Sequence, residues 1–147
     1  MLRAIAVCLL ALVAASVAAQ DVGERPTVWF EAVDVIVDSG RAPQAAYQFE
    51  FTAPADRVKL VGVEGGESAA FAAAPYYDPA ALMHDRVVVA AFSRGRDLPT
   101  GRTRVARLHL MVTGAGEPDY GLKLQAAAGP DGHEIPATAS LAHGEQP

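Results

Sequence analysis

Few side chains of this chain have the type and spacing that catalysis or metal binding requires. The four histidines are His84, His109, His133 and His143. No two of them share a metal-ligand spacing such as His-Glu-x-x-His, and the chain has no Gly-x-Ser-x-Gly nucleophile turn. The single cysteine, Cys8, lies near the amino terminus. The sequence therefore predicts that the protein is not an enzyme.

Aspartates are numerous enough to raise the question of calcium binding. Those at predicted strand ends and in loops are Asp34, Asp38, Asp78, Asp85, Asp97, Asp119 and Asp131. A calcium ion takes about six to eight oxygen ligands, and an EF-hand loop would show an Asp-x-Asp-x-Asp-Gly spacing that this chain lacks. Solvated turn residues are the favoured interpretation. We predict no metal site and no cofactor, and calcium remains an option without a motif.

Aromatic residues are the better candidates for ligand binding. Tyr76 and Tyr77 lie side by side between Pro75 and Pro79. Two adjacent side chains of an extended segment point in opposite directions, so one tyrosine should meet solvent or a partner. The alternative is a tyrosine that closes the end of the core in a loop stiffened by prolines. Trp29 is the only tryptophan, and it fits either a core position or a binding platform.

Arginines form the other candidate site. They cluster between Phe92 and Leu108, at Arg94, Arg96, Arg102, Arg104 and Arg107. One interpretation is a hairpin whose exposed positions are charged to prevent aggregation. The other is a local basic patch, with Arg94 and Arg96 as binding residues for acidic side chains of a partner.

The first nineteen residues have the pattern of a secretory signal peptide. Arg3 supplies a basic start, residues 4–13 form a short apolar run, and small residues at 17–19 fit a cleavage site. The run is shorter than the about 20 residues that a membrane span needs. We predict a signal peptide at 1–19, export to the extracellular space or periplasm, and no membrane span.

The rest of the chain is acidic and has no cysteine, so no disulfide can stabilise it. The full sequence has a formal net charge of −5, and removal of Arg3 with the signal peptide would leave 11 basic against 17 acidic residues. An acidic balance disfavours nucleic acid and anionic membrane surfaces as partners.

Hydrophobicity alternates with period two through most of the chain, which indicates β-strands. The predicted strands are 29–38, 46–52, 58–64, 86–93, 104–113, 120–126 and 135–141. Within the fourth, the run VVVAAF is typical of a strand covered on both faces. Within the fifth, the alternation puts Ala106 and Leu108 on one side and Val105 and Arg107 on the other.

Turn residues separate these strands, and Pro130-Asp131-Gly132 predicts a tight hairpin. Only residues 79–83 look helical, with Asp78 as N-cap and Pro79 at the first position. One short helix among many strands predicts an all-β fold, an antiparallel β-sandwich.

Three rings alternate along the second predicted strand, at Tyr47, Phe49 and Phe51. A sandwich must fill a layer about 10 Å thick between its sheets, and large side chains on one face of a strand do so. We therefore predict that these rings belong to the core, with the Tyr47 hydroxyl reaching a polar partner at the rim.

Several segments together resemble the cohesin domain and the wider superfamily of cellulose-binding-module-like sandwiches. They are VDVIVDSG, AAYQFEFTAPADRVKLVGVEGG, RVVVAAFS, LPTGRTRVARLHLMVTG and a last strand after Asp131-Gly132. The resemblance implies a nine-stranded jelly-roll domain over residues 27–142, followed by a flexible tail at 143–147. It also implies binding of a dockerin module, which itself holds the calcium, and it carries over no individual binding residue.

These observations predict a secreted, non-catalytic module that engages a protein partner of the dockerin type across a sheet face. The alternative is a carbohydrate-binding module that contacts polysaccharide through the Tyr76–Tyr77 loop or Trp29. A third option is an accessory domain that acts only when joined to a hydrolase.

Overall fold

A computed structural model describes residues 27–144, apart from the side chains of residues 82 and 83. The predicted signal peptide and residues 145–147 of the predicted tail lie outside the described residues. His143, where that tail was predicted to begin, is the last residue of the last strand.

The described residues form two four-stranded sheets packed face to face. The strands are β1 Val28–Asp38, β2 Ala46–Thr52, β3 Val58–Gly65, β4 Tyr76–Tyr77, β5 Arg86–Phe92, β6 Arg102–Thr113, β7 Gly121–Ala128 and β8 Thr138–His143. Sheet A has the order β3-β6-β1-β8 and sheet B the order β4-β5-β2-β7. Every described pairing is antiparallel. The predicted all-β antiparallel sandwich is confirmed.

The short helices and the shortest strand differ from the prediction in type or were not predicted. The predicted helix is a 3-10 helix, Pro79–Met83, and Asp78 caps it by accepting a hydrogen bond from the Ala80 N–H at 2.9 Å. A second 3-10 helix, Ala69–Phe71, brings Phe71 into the core. The two-residue strand β4 was missed because two residues are too few for a period to show.

The turn after β7 has the predicted form, but the predicted hairpin is limited to one bridge, between Ala128 and Glu134, because β7 and β8 belong to different sheets. The Gly132 N–H donates to the Gly129 carbonyl at 3.0 Å, and Gly132 has a φ of 78°. This is the left-handed region, which glycine adopts without steric cost. The last strand begins at Thr138, later than predicted, because the Ile135 N–H bonds the Ala127 carbonyl of sheet B instead.

The aromatic side chains of β2 lie in the core, as predicted. Tyr47, Phe49 and Phe51 are at most 3% exposed. The Tyr47 ring meets Phe71 edge to face, with centroids 5.1 Å apart. Its hydroxyl donates to the Val105 carbonyl at 2.9 Å, a partner that lies in the interior rather than at the rim.

A β-bulge in β6 overturns one prediction about this strand. Val35 of β1 pairs with Ala106, but the next residue, Ile36, pairs with Arg104. Val105 is therefore the extra residue, and both Val105 and Ala106 are completely buried. A bulge shifts the alternation by one residue, so Val105 joins the core side instead of the outer side.

Because two tyrosines are buried, the folding stability of the protein should depend on pH in the alkaline range. Burial raises the pKa of Tyr47 well above its ordinary value of about 10. Burial, followed by a hydrogen bond to Glu31, raises the pKa of Tyr120 in the same direction. The unfolded chain then loses these protons first, so folding stability should fall as the pH rises past about 10.

Urea unfolding at pH 9, 10 and 11 tests this prediction. The wild type should lose stability over this interval, and the substitutions Tyr47→Phe and Tyr120→Phe should each reduce the loss. An unchanged pH dependence in both variants would contradict the assignment to these hydroxyls.

One buried amide has no hydrogen-bond partner in the described part of the protein. The Gln44 side chain is fully buried in the loop between β1 and β2, and neither its Oε1 nor its Nε2 is bonded. An unpaired buried polar group costs about 1–3 kcal/mol.

Gln44→Met keeps the length of the side chain and removes both polar atoms. We expect the free energy of unfolding to rise by about 1–2 kcal/mol, measured by urea denaturation. The matched control is Gln48→Met, at an exposed glutamine, which should change stability by less than about 0.5 kcal/mol. A loss of stability in the Gln44 variant would show that its amide is hydrogen-bonded in solution.

Candidate binding surface

The outer face of sheet B has a floor of small side chains. Residues of β2, β5 and β7 that alternate with the buried ones point away from the core. The floor residues are Ala46, Ala90, Ala126 and Ala128. They line a shallow depression of about 270 Å³. Because neighbouring strands are about 4.8 Å apart, this floor is roughly 10 Å wide, close to the diameter of one α-helix. We call this depression the alanine groove.

Two exposed rings form a wall along one side of the alanine groove. β4 pairs with β5 so that Tyr76 lies opposite Ala90. Tyr76 is 71% exposed and Phe92, at the end of β5, is 62% exposed. Their rings are nearly parallel, with an interplanar angle of 10° and centroids 6.4 Å apart. An exposed apolar pair beside an apolar floor marks a surface suited to a ligand or a partner.

Polar side chains connected by hydrogen bonds continue from the groove along the same face. Gln48 Nε2 donates to Gln125 Oε1 at 2.7 Å, and Gln125 Nε2 donates to Glu50 Oε2 at 3.3 Å. Arg86 completes this chain with a 3.1 Å ion pair to the same Glu50 oxygen. The face of sheet B thus combines an apolar depression with a polar border, as protein interfaces do.

The outer face of sheet A is built differently. Its centre carries long polar and charged side chains that pair with one another. Arg107 holds both carboxylate oxygens of Asp34, at 2.7 and 3.0 Å, and His109 Nε2 lies 2.9 Å from Glu64 Oε1. These two pairs occupy the centre of this face. Sheet A also exposes Phe30 and Val61. We take sheet B as the candidate binding surface because it combines the depression with a wall of exposed rings and a polar border.

The aromatic candidates from the sequence lie in different places. Tyr76 is part of the wall, whereas Tyr77 is half-buried and packs against the core, as the alternation of an extended segment requires. Trp29 lies on β1 of sheet A, opposite Val112, and also packs against the core. Trp29 and Tyr76 are therefore not brought together in one patch.

Two of the candidate arginines follow the groove wall closely in the chain. Arg94 and Arg96 are exposed in the loop that follows Phe92. Two other members of the sequence cluster are partnered: Arg107 by Asp34, and Arg104 by the Gly65 carbonyl at 2.9 Å. The cluster thus separates into paired arginines within β6, Arg104 and Arg107, and exposed ones in the loop and at the start of β6, Arg94, Arg96 and Arg102.

Sequence reasoning missed Phe92 and the alanine floor. The run VVVAAF suggested a strand covered on both faces, but in the described structure only its inner side, with Val87 and Val89, is buried. The outer side exposes Phe92 and contributes Ala90 to the floor. The sequence feature that could have indicated the groove is the change from valine to alanine along this run. Small alanine side chains leave space over the outer face of the sheet.

The described residues contain no group of three or more His, Cys, Asp or Glu side chains arranged to hold a metal ion. Within residues 27–144 there is also no helix long and apolar enough to cross a membrane.

Comparison with known proteins finds similar structures but no similar sequences. No protein-family model and no curated protein sequence matches the chain. Three solved structures do, and all are cohesin modules. One is the cohesin of a type I cohesin–dockerin complex from Clostridium thermocellum, with a TM-score of 0.57 and 14% identity over 77% of this chain and 84% of that one.

The second is a type I cohesin of ScaB from Pseudobacteroides cellulosolvens, with a TM-score of 0.54 and 13% identity over 72% of this chain and 73% of that one. The third is the cohesin module of a family 33 glycoside hydrolase from Clostridium perfringens, with a TM-score of 0.51 and 10% identity over 81% and 96%. The chain therefore has a cohesin-like fold, and the resemblance seen in its sequence is confirmed at that level.

Proposed function

We propose that this protein is a secreted, non-catalytic module that binds a protein partner of the dockerin type across the outer face of sheet B. The observation that carries the proposal is the alanine groove with its wall of Tyr76 and Phe92. The cohesin-like fold supports it, because one of the similar structures is a cohesin in complex with a dockerin.

The dimensions of the groove favour a helical contact. A helix laid on a floor of alanines can approach the sheet closely, since no large side chain separates the two. Apolar side chains of that helix would pack against the two exposed rings, which bring large apolar area at little conformational cost. The border of Gln48, Gln125 and Glu50 would supply the surrounding hydrogen bonds.

A carbohydrate ligand is the second candidate. The Tyr76 and Phe92 rings are exposed and nearly parallel, and exposed aromatic rings can stack on sugar rings. The apolar floor favours a protein, because a sugar needs hydrogen-bond partners that alanine side chains cannot provide.

Affinity capture tests the proposal. The immobilised protein would be incubated with the secreted and envelope proteins of its own organism, with and without EDTA. The expected result is a captured chain with paired EF-hand-like calcium loops that is lost with EDTA, since the resemblance places the calcium in the partner. Retention on insoluble polysaccharide without any protein partner would instead establish the carbohydrate candidate.

A further inference from the structure

Four strands form the edges of the two sheets in the described part of the chain: β3 and β8 in sheet A, and β4 and β7 in sheet B. A bare edge offers a row of free N–H and C=O groups to any other strand, so natural proteins shorten, bend, charge or cover their edges. Three of these four edges have such protection. The simplest case is β4, which is only two residues long.

The segment between β3 and β5 covers the edge of β3. Residues 72 and 73 run past Gly65 so closely that a Cβ on this glycine would clash with their carbonyl oxygens. Further along the strand, Ala81 lies beside Val58 and Leu60. Another strand therefore has no straight edge to join on this side of sheet A.

The edge of β7 is irregular, charged and partly bonded. Its register with β2 shifts at Gln125, which forms a bulge, and Lys123 places a charge on the same strand. The Ile135 N–H donates to the Ala127 carbonyl at 2.9 Å. These features all hinder pairing with a further strand.

The edge of β8 has none of these protections among the described residues. The six residues Thr138–His143 contain no proline, Asp, Glu, Lys or Arg, and they pair with β1 without a register shift. Within residues 27–144, no other strand pairs with the outer side of β8. The short part of β1 that extends past β8 differs, because it carries Glu31, which accepts a hydrogen bond from the Tyr120 hydroxyl.

The free backbone groups of this edge are symmetric about Leu141. The Gly144 N–H donates to the Ala32 carbonyl at 2.9 Å, which continues the ladder between β8 and β1. Every second residue of an antiparallel ladder points its N–H and C=O toward the same neighbour. Residues 138, 140 and 142 therefore bond β1, whereas Ala139, Leu141 and His143 direct their backbone groups to the open edge.

We propose that β8 pairs with β8 of a second copy of this chain, antiparallel, about a two-fold axis at Leu141. Leu141 then lies opposite its own copy, and Ala139 lies opposite the partner's His143. Two identical edges in this register form about six backbone hydrogen bonds and place no charged side chains of β8 against each other. The inference is independent of the proposed function.

A depression on the same flank favours a second copy as the occupant. It has a volume of about 210 Å³ and lies between residues 124–127 of β7 and residues 134–137, which lead into β8. His143 pairs with the core residue Val33, so its side chain is on the side of sheet A that faces sheet B. The two-fold axis brings the partner's His143 next to this depression, where Glu134 can accept a hydrogen bond from its ring.

The size of the flank predicts a weak dimer. The edge is about 20 Å long, and the two layers make the flank about 20 Å deep, so each copy buries roughly 400 Å². A total of about 800 Å² is below the about 1,200 Å² of a stable complex. We therefore expect a reversible dimer with a Kd on the order of 10–100 µM. Both alanine grooves stay open, so each copy binds a partner as the monomer does.

Sedimentation velocity of the purified protein between about 5 and 500 µM tests the inference. The wild type should pass from monomer to dimer over this range. Ala139→Pro removes an N–H of the open edge without breaking the ladder to β1. Ser140→Lys places two like charges about 7–8 Å apart across the axis. Each variant should dimerise at least about 10-fold more weakly.

Thr100→Lys is the matched control, because Thr100 is exposed in the loop between β5 and β6. It adds the same charge and should dimerise as the wild type does. Circular dichroism checks that every variant folds. Hydrogen exchange gives an independent measurement: the amides of Ala139, Leu141 and His143 should become protected as the concentration rises.

Three outcomes would overturn the inference: a wild type that stays monomeric up to about 500 µM, a dimer that both edge variants leave intact, or a dimer that Ala90→Arg abolishes. The last outcome would place the contact between copies in the alanine groove. By contrast, a dimer that persists in Ala90→Arg and is lost in the edge variants supports pairing through β8. Failure of this inference and failure of the proposed groove function are therefore distinguishable.

Discussion

The substitution Ala90→Arg is expected to abolish capture of the protein partner. Ala90 lies in the floor of the alanine groove, opposite Tyr76, and a long charged side chain there would fill the space that a helix must occupy. Burial of an unpaired charge under a partner is among the most costly interface changes. We expect binding to weaken at least about 100-fold, equivalent to about 2.7 kcal/mol.

Ala142→Arg is the matched control for this variant. Ala142 is exposed on β8 of sheet A, where the same substitution should leave partner capture unchanged. Circular dichroism and the urea midpoint should show that both variants fold as the wild type does. Full binding by a correctly folded Ala90 variant would refute the placement of the interface on sheet B.

The substitution Phe49→Ala is expected to cost about 3–5 kcal/mol of stability. Phe49 is completely buried at the centre of β2, where its ring stacks beside Tyr47 with centroids 5.8 Å apart. Removal of the ring leaves a cavity between the sheets. The loss is a large fraction of the about 5–15 kcal/mol that stabilises a typical domain, and no disulfide compensates for it.

Phe92→Ala removes the same group from an exposed position and serves as the control. Because Phe92 is 62% exposed, its loss should change the free energy of unfolding by less than about 1 kcal/mol, measured by urea denaturation. Capture of the partner should nevertheless weaken, since this ring is half of the groove wall. Similar stability losses in both variants would show that the two rings are not buried as described.

The sequence alone was enough to predict the sandwich and the main part of its core. Alternation with period two reports which side chains of a strand face the same way, and it identified the rings of β2 as core residues. Turns and helix caps also depend only on residues close together in sequence. Asp78 caps its 3-10 helix and Gly132 adopts the left-handed turn conformation, as predicted. These features depend on residues within a few positions of one another.

Only the tertiary structure decided which exposed residues form a surface together. Tyr76, Ala46 and Ala126 belong to three different strands, and the pairing of those strands with β5 and β2 places them around one groove. The bulge at Val105 likewise depends on the partner strand. Strand order and register are set by long-range packing, which one strand's alternation does not encode. The sequence therefore determined which residues are inside, and the fold determined which of the others meet.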